Sequence, residues 1–208
     1  MRCKKAMTTN GNGGRRNASL ARRPRPLPKK ISGYVAELLV EAYALLGAGG
    51  KLTSFRPNID IDHKDLVFDE LGSRLRSAYV QVKSLTHPSN PYQVICLVKY
   101  SNGKPITNDR FIYVFALLNV RSMTLEKIWL VPCKDFNRLA TRMRIKGKGI
   151  VLVFAAYARE RQYNVAGKWD RFEVKPGDLG PRFLSVIAHA RAKAPIKAAA
   201  LLQMMARP

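Results

Sequence analysis

Residues 65–84 read DLVFDELGSRLRSAYVQVKS and combine two apolar runs with a polar turn between them. A hydrophobic run opens directly behind Asp65, a polar turn follows at residues 71–76, and a second apolar run ends in Gln-Val-Lys. The pattern predicts two strands that pair around the turn. Because side chains alternate between the faces of a strand, Gln81 and Lys83 share one face and the valines beside them occupy the other.

Four side chains of this region predict a site for phosphodiester hydrolysis. Asp65 stands at the mouth of the first strand, where it can meet Gln81 and Lys83, and Glu37 can reach the same place if its helix packs across the sheet. Carboxylate and amide oxygens suit a hard divalent cation, which acidifies a bound water and polarises phosphate. Lys83 can orient that water and offset the charge that builds up on the phosphate oxygens.

Other acids compete for two of these positions. Glu41 lies four residues beyond Glu37 and shares its helix face. Residues 33–47 contain no Lys or Arg, which is unusual for the solvent face of so basic a protein and favours a functional acid on this helix. Asp60 and Asp62 compete with Asp65, but they do not lead directly into a hydrophobic strand. We expect them to be solvated or to contact the metal ligands without binding the metal themselves.

The rest of the chain alternates strands with short helices. We expect a helix at 33–47, further strands at 51–55, 92–100, 110–120, 127–132 and 150–158, and helices at 135–140 and 176–187. The sequence TRMRIKGKG at 141–149 is interpreted as a basic loop. This order predicts an α/β (α+β) protein with a central mixed β-sheet flanked by helices.

The charge of the chain predicts a polyanionic partner. Lys and Arg total 37 against 14 Asp and Glu, a formal net charge of +23 with a pI near 10.5. Neutralising phosphates releases condensed counterions, so nucleic acid is the expected partner, and we take it to be DNA. The side chains expected to contact the nucleic-acid backbone are all basic and lie in two loops: Arg74, Arg76, Arg142, Arg144, Lys146 and Lys148.

Composition divides the chain into three parts. Residues 1–30 hold ten basic residues and no acid and are expected to form a disordered basic arm, 31–190 to fold, and 191–208 to form an Ala-rich basic tail. An organellar targeting peptide is the alternative interpretation of the arm, although its glycines and prolines would break an amphipathic helix. No apolar run is long enough for a membrane span, and the three scattered cysteines fit a reducing compartment. We therefore expect a cytoplasmic, nucleoid-associated protein.

The two segments GYVAELLVEAYALLG and FRPNIDIDHKDLVFDELGSRLRSAYVQVKS together resemble the PD-(D/E)xK nuclease superfamily. They are most similar to its group I intron-associated and related small endonucleases, in which QxK often replaces (D/E)xK. The resemblance spans roughly residues 33–85 and implies a restriction-endonuclease-like core with Mg²⁺ as the usual metal, which Mn²⁺ can replace. By position it makes Glu37, rather than Glu41, the helix acid, and Asp65 the motif aspartate. Gln81 and Lys83 then stand for the variable acid and the lysine.

These observations predict a metal-dependent DNA endonuclease. One such site cuts one strand, so a double-strand break requires a homodimer or two successive visits. Two other functions are compatible with the sequence. The first is a catalytically inactive nucleic-acid-binding protein on the same fold, and the second is a basic RNA-binding structural protein.

Overall fold

The computed structural model describes residues 28–57, 64–72, 77–86, 93–100, 104–145, 149–158 and 167–192. Within these residues the helices are α1 (Lys29–Gly47), α2 (Cys133–Leu139) and α3 (Leu179–Ala192). The strands are β1 (Leu52–Phe55), β2 (Leu66–Glu70), β3 (Ser77–Leu85), β4 (Gln93–Tyr100), β5 (Phe111–Asn119), β6 (Thr124–Pro132), β7 (Thr141–Ile145), β8 (Gly149–Tyr157) and β9 (Glu173–Val174). Most of the predicted elements are therefore present.

The larger sheet is mixed, as the sequence predicts. Among the described residues it has six strands in the order β1-β2-β3-β5-β6-β9. β3 and β5 run parallel, and the other neighbours are antiparallel. β2 and β3 pair around the expected turn, with Leu66 opposite Val80. The fold class, a central mixed sheet with helices, is confirmed.

A second sheet of three described strands, in the order β4-β8-β7, lies against the first. Here one expectation is wrong. Residues 141–145, interpreted as part of a basic loop, form the edge strand β7, which pairs antiparallel with β8 from Thr141 opposite Val153 to Ile145 opposite Gly149. Backbone pairing to β8 turns a strongly charged segment into a strand although four of its five side chains are exposed. The two-residue strand β9 is also absent from the prediction.

Two hydrophobic cores cover the two faces of the larger sheet. The helix-side core packs α1 and α3 on one face, and its α1 members recur every four residues: Ala36, Val40 and Ala44. The inter-sheet core fills the space between the sheets with a run of aromatic side chains, including Phe115, Phe154 and Trp129. Each core excludes water from one face of β3 and β5.

The alternation of β3 decides which side chains enter which core. Val80 and Val82 belong to the helix-side core, whereas Tyr79 packs against the inter-sheet core. Gln81 and Lys83 have the same parity as Tyr79 and so project from the face that meets the second sheet. The shared face expected for Gln81 and Lys83 is therefore present in the backbone.

Candidate active site

Asp65 is held at the start of β2 by two bonds to β3. Its backbone N–H donates to the carbonyl of Val80 at 2.9 Å, and its Oδ2 accepts the N–H of Val82 at 2.7 Å. Asp65 thus extends the strand pairing by one position before Leu66, where β2 begins. The two bonds go to the residues on either side of Gln81. The Asp65 backbone therefore lies beside that of Gln81, with which the sequence analysis grouped it.

Gln81 carries the most unusual atom of the region. Its side chain is only 3% exposed, and its Oε1 is buried without a hydrogen-bond partner in the structure. An unsatisfied buried carbonyl costs stability, so most buried polar atoms in proteins are paired. A buried carbonyl oxygen without a hydrogen-bond partner is available as a ligand for a cation.

Lys83 is half-buried two residues further along β3. Its positive charge affects the pKa of residues on both sides of β3. Burial raises the pKa of the Cys96 thiol on β4 to about 12, and Lys83 acts on that pKa in the opposite direction. Burial also raises the pKa of Glu37, on the other side of the sheet, and Lys83 opposes that rise. The Lys83 ammonium therefore lies within electrostatic range of both Cys96 and Glu37.

Glu37 lies on α1, and charged groups of the neighbouring strands act on it. Burial raises the pKa of Glu37, the negative charge of Asp65 raises it further, and Arg56 and Lys83 act in the lowering direction. Like charges raise a carboxyl pKa only when they are close. Asp65 and Lys83 therefore both lie within electrostatic range of Glu37, and the Asp65 bonds to Val80 and Val82 lie on either side of Gln81 in the chain.

Glu41 has a different environment, which includes a residue that the sequence analysis did not single out. Ser54 Oγ donates to Glu41 Oε1 at 2.7 Å, and Arg56 donates to Glu41 Oε2 from Nη2 at 2.8 Å and from Nε at 3.2 Å. Burial would raise the pKa of Glu41, but these bonds lower it below its ordinary value. Arg56 also reaches Glu37 Oε2 through Nη1 at 3.2 Å. A signal for Arg56 existed, because residues 33–47 carry two acids and no basic residue, so a counter-charge has to come from outside this stretch.

The candidate ligands for a divalent cation carry few negative charges. Among the described residues, no three His, Cys, Asp or Glu side chains gather in a way that could hold a metal. Two carboxylates, Glu37 and Asp65, are available here, and the third oxygen is the unpaired Gln81 amide. Magnesium and manganese accept such oxygen ligands and keep several waters. The buried, unpaired Gln81 oxygen is the observation that makes Gln81 a candidate ligand.

The predicted basic contacts are only partly described. Arg142 and Arg144 are exposed on the edge strand β7, and their shared parity places them on one face. The other four, Arg74, Arg76, Lys146 and Lys148, lie outside the described residues, as do the competing acids Asp60 and Asp62. The arm at 1–27 and the tail at 193–208 are likewise outside them. Among the described helices, none combines the length and apolar character needed to cross a membrane.

Comparison with known proteins gives a limited result. No protein-family model matches the chain, and no curated protein matches it. One similar solved structure is that of a bacterial homing endonuclease, I-Ssp6803I, with a TM-score of 0.49 and 16% sequence identity. The match covers 80% of this chain and 96% of that chain. A likeness this distant carries no weight for function, which has to be inferred from the site itself.

Proposed function

We propose that this protein is a metal-dependent DNA endonuclease that hydrolyses phosphodiester bonds. The observation that carries the proposal is the buried, unpaired Oε1 of Gln81, a residue whose two chain neighbours, Val80 and Val82, are bonded to Asp65. A merely structural glutamine at this depth would be expected to hydrogen-bond through its carbonyl. The resemblance of the sequence to PD-(D/E)xK nucleases points to the same residues.

Three side chains would hold the metal, and Lys83 would act on the substrate. Asp65, Glu37 and Gln81 supply oxygens, and the Val82 N–H keeps the Asp65 carboxylate in place. When bound, Mg²⁺, or Mn²⁺ in its place, supplies a water of lowered pKa and a positive charge beside the scissile phosphate. The Lys83 ammonium donates hydrogen bonds to the phosphate oxygens and stabilises the charge that develops there in the transition state.

Affinity for DNA would come from the basic surface. The net charge of +23 supports strong, sequence-independent attraction to phosphates. Arg142 and Arg144, exposed side by side on β7, are the described side chains that we assign to backbone contacts. A chain with one site cuts one strand per visit, so a double-strand break would require two chains or two visits.

One observation favours a second candidate, a DNA-binding protein on the same fold that has lost catalysis. The site offers two carboxylates, and the neutral Gln81 stands where a third acid would strengthen cation binding. A site with one negative charge fewer attracts a divalent cation less strongly. The two candidates share the DNA-binding surface and differ only in chemistry.

A plasmid-nicking assay with Mg²⁺ or Mn²⁺ separates these candidates. We expect wild type to nick supercoiled DNA, EDTA to stop it, and Lys83→Met to lose at least about 100-fold in rate because a positioned transition-state charge is removed. Lys99→Met is the matched control, since Lys99 is exposed on β4 and belongs to no part of the proposed site. Absence of nicking by wild type, with DNA binding intact, would favour the inactive binding protein. Equal nicking by both variants would contradict the role of Lys83.

A further inference from the structure

The end of β1 and the start of β2 bring Arg56 next to the proposed site. β1 and β2 pair antiparallel with Phe55 opposite Val67, so the residue after β1 and the residue before β2 emerge at the same end of the sheet. These residues are Arg56, directly beyond β1, and Asp65, one position before Leu66. The pairing of β1 with β2 therefore places Arg56 at the border between α1 and the proposed ligands.

The contacts of Arg56 are divided unequally between the two helix acids. Two of its nitrogens bond Glu41, the shorter contact being 2.8 Å, and one nitrogen bonds Glu37 at 3.2 Å. Ser54 holds the other oxygen of Glu41 at 2.7 Å. The side chains of Arg56, Glu37 and Glu41 are 29%, 23% and 19% exposed, so solvent screens these pairs only in part. Glu41 is thus the main partner of the guanidinium.

This division leaves Glu37 available to a cation. Among the described residues, the hydrogen bond of Glu37 is the single one from Arg56, which occupies Oε2 and not Oε1. Two of the three guanidinium contacts go to Glu41, and this pairing fixes the Arg56 side chain, because the planar guanidinium presents its donors in a rigid fork. Without Glu41, the same charge would turn fully to Glu37 and compete with the metal for it.

We propose that Arg56 is a positioning residue for Glu37, and that Ser54 and Glu41 hold Arg56 in the orientation in which it steers Glu37 without blocking it. This inference rests on the proposed function and names the residues that keep its helix acid ready to bind a metal. It also gives Glu41 a role distinct from that of a ligand. Glu41 anchors Arg56, and Glu37 coordinates the metal.

A double-mutant cycle on Mn²⁺ binding tests the proposal without requiring turnover. Free Mn²⁺ is measured by electron paramagnetic resonance, with DNA absent, for wild type, Glu41→Gln, Arg56→Gln and the double variant. We expect Glu41→Gln to weaken Mn²⁺ binding about fivefold in the wild-type background and less than twofold in the Arg56→Gln background, since contacting residues couple. A general loss of one negative charge would weaken binding by the same factor in both backgrounds, and that result would overturn the proposal.

Arg56→Lys provides a second arm. Lysine keeps the positive charge but carries its donors on one nitrogen, and it lacks the rigid fork through which three guanidinium nitrogens contact the two acids. We expect Arg56→Lys to bind Mn²⁺ at least threefold more weakly than wild type, and binding as tight as wild type would show that charge alone suffices. If Glu41→Gln does not fold, as judged by circular dichroism, the cycle is run with Ser54→Ala, which releases the same anchor from its other side.

The outcome also separates this inference from the proposed function. Mn²⁺ binding by wild type that Glu37→Gln and Asp65→Asn abolish supports the metal site whatever the cycle gives. If that binding is present and the cycle is additive, only the role of Arg56 fails. If wild type binds no Mn²⁺, both fail together.

Discussion

Replacement of Gln81 by methionine should make the metal-free protein more stable. The side chain is 3% exposed, and its Oε1 has no hydrogen-bond partner. A buried unsatisfied oxygen costs about 1–3 kcal/mol. Methionine has a similar length and no such oxygen, so we expect Gln81→Met to raise the free energy of unfolding by about 1–2 kcal/mol in EDTA. For a chain of this size that corresponds to a rise of about 4 °C in Tm.

Urea unfolding followed by circular dichroism measures this change in stability. In the presence of Mn²⁺ we expect the difference between wild type and Gln81→Met to be reversed. A ligand that binds only the native state stabilises it by about 2.7 kcal/mol at 100 times its Kd. Wild type should gain stability with Mn²⁺, whereas Gln81→Met should not. Gln93→Met on β4 is the control, because Gln93 is only half-buried and its change should stay within about 0.5 kcal/mol. Loss of stability in Gln81→Met would show that Oε1 has a partner in solution and would remove the main support for the site.

Three further predictions concern packing, pH and DNA. A Cβ on Gly180 would lie 2.2 Å from a backbone nitrogen at the end of α1, so Gly180→Ala should destabilise the protein by about 1–3 kcal/mol in urea unfolding. Gly33→Ala, where a Cβ meets nothing within 4 Å, should leave stability equal or higher. Burial acts to raise the pKa of Glu41, but its hydrogen bonds lower that pKa below 4.5, so its ionised form stabilises the fold above pH 4.5 and this contribution is lost as the pH falls through the lowered value. Glu41→Gln should therefore show a flatter decline in urea midpoint below pH 4.5, and a decline as steep as that of wild type would contradict this assignment. Replacing Arg142 and Arg144 together by Gln should reduce the slope of log K against log salt for duplex DNA by about 1.8, and an unchanged slope would exclude both from phosphate contact.

The sequence predicted the strands around the site well because their periodicity is local. A carboxylate at a strand entry and a Gln-x-Lys in the next strand can be recognised without tertiary information, and pairing of the two strands then follows from the short turn. The register of the two strands then determines which of their residues lie opposite each other. The hydrogen bond that Asp65 donates to the Val80 carbonyl and the one it accepts from the Val82 N–H place the Asp65 backbone opposite Gln81 in the strand pairing.

What the sequence could not predict depends on packing between distant segments. The burial of Gln81 depends on a second sheet whose strands begin at Gln93, and nothing near Gln81 indicates that this sheet covers it. The Arg56 contacts with the helix acids arise because β1 packs beside α1. The strand at 141–145 forms because β8 offers a free edge, which outweighs the polar character of its side chains.

The most direct measurement is a crystal structure of the protein soaked in Mn²⁺, with the ion located by its anomalous scattering. The proposed function predicts one ion bound by oxygens of Asp65, Gln81 and Glu37, at distances of about 2.0–2.3 Å, with Lys83 facing its open side. An ion elsewhere, or a Gln81 carbonyl that turns away to a protein donor, would contradict the assignment of this cluster as the catalytic centre.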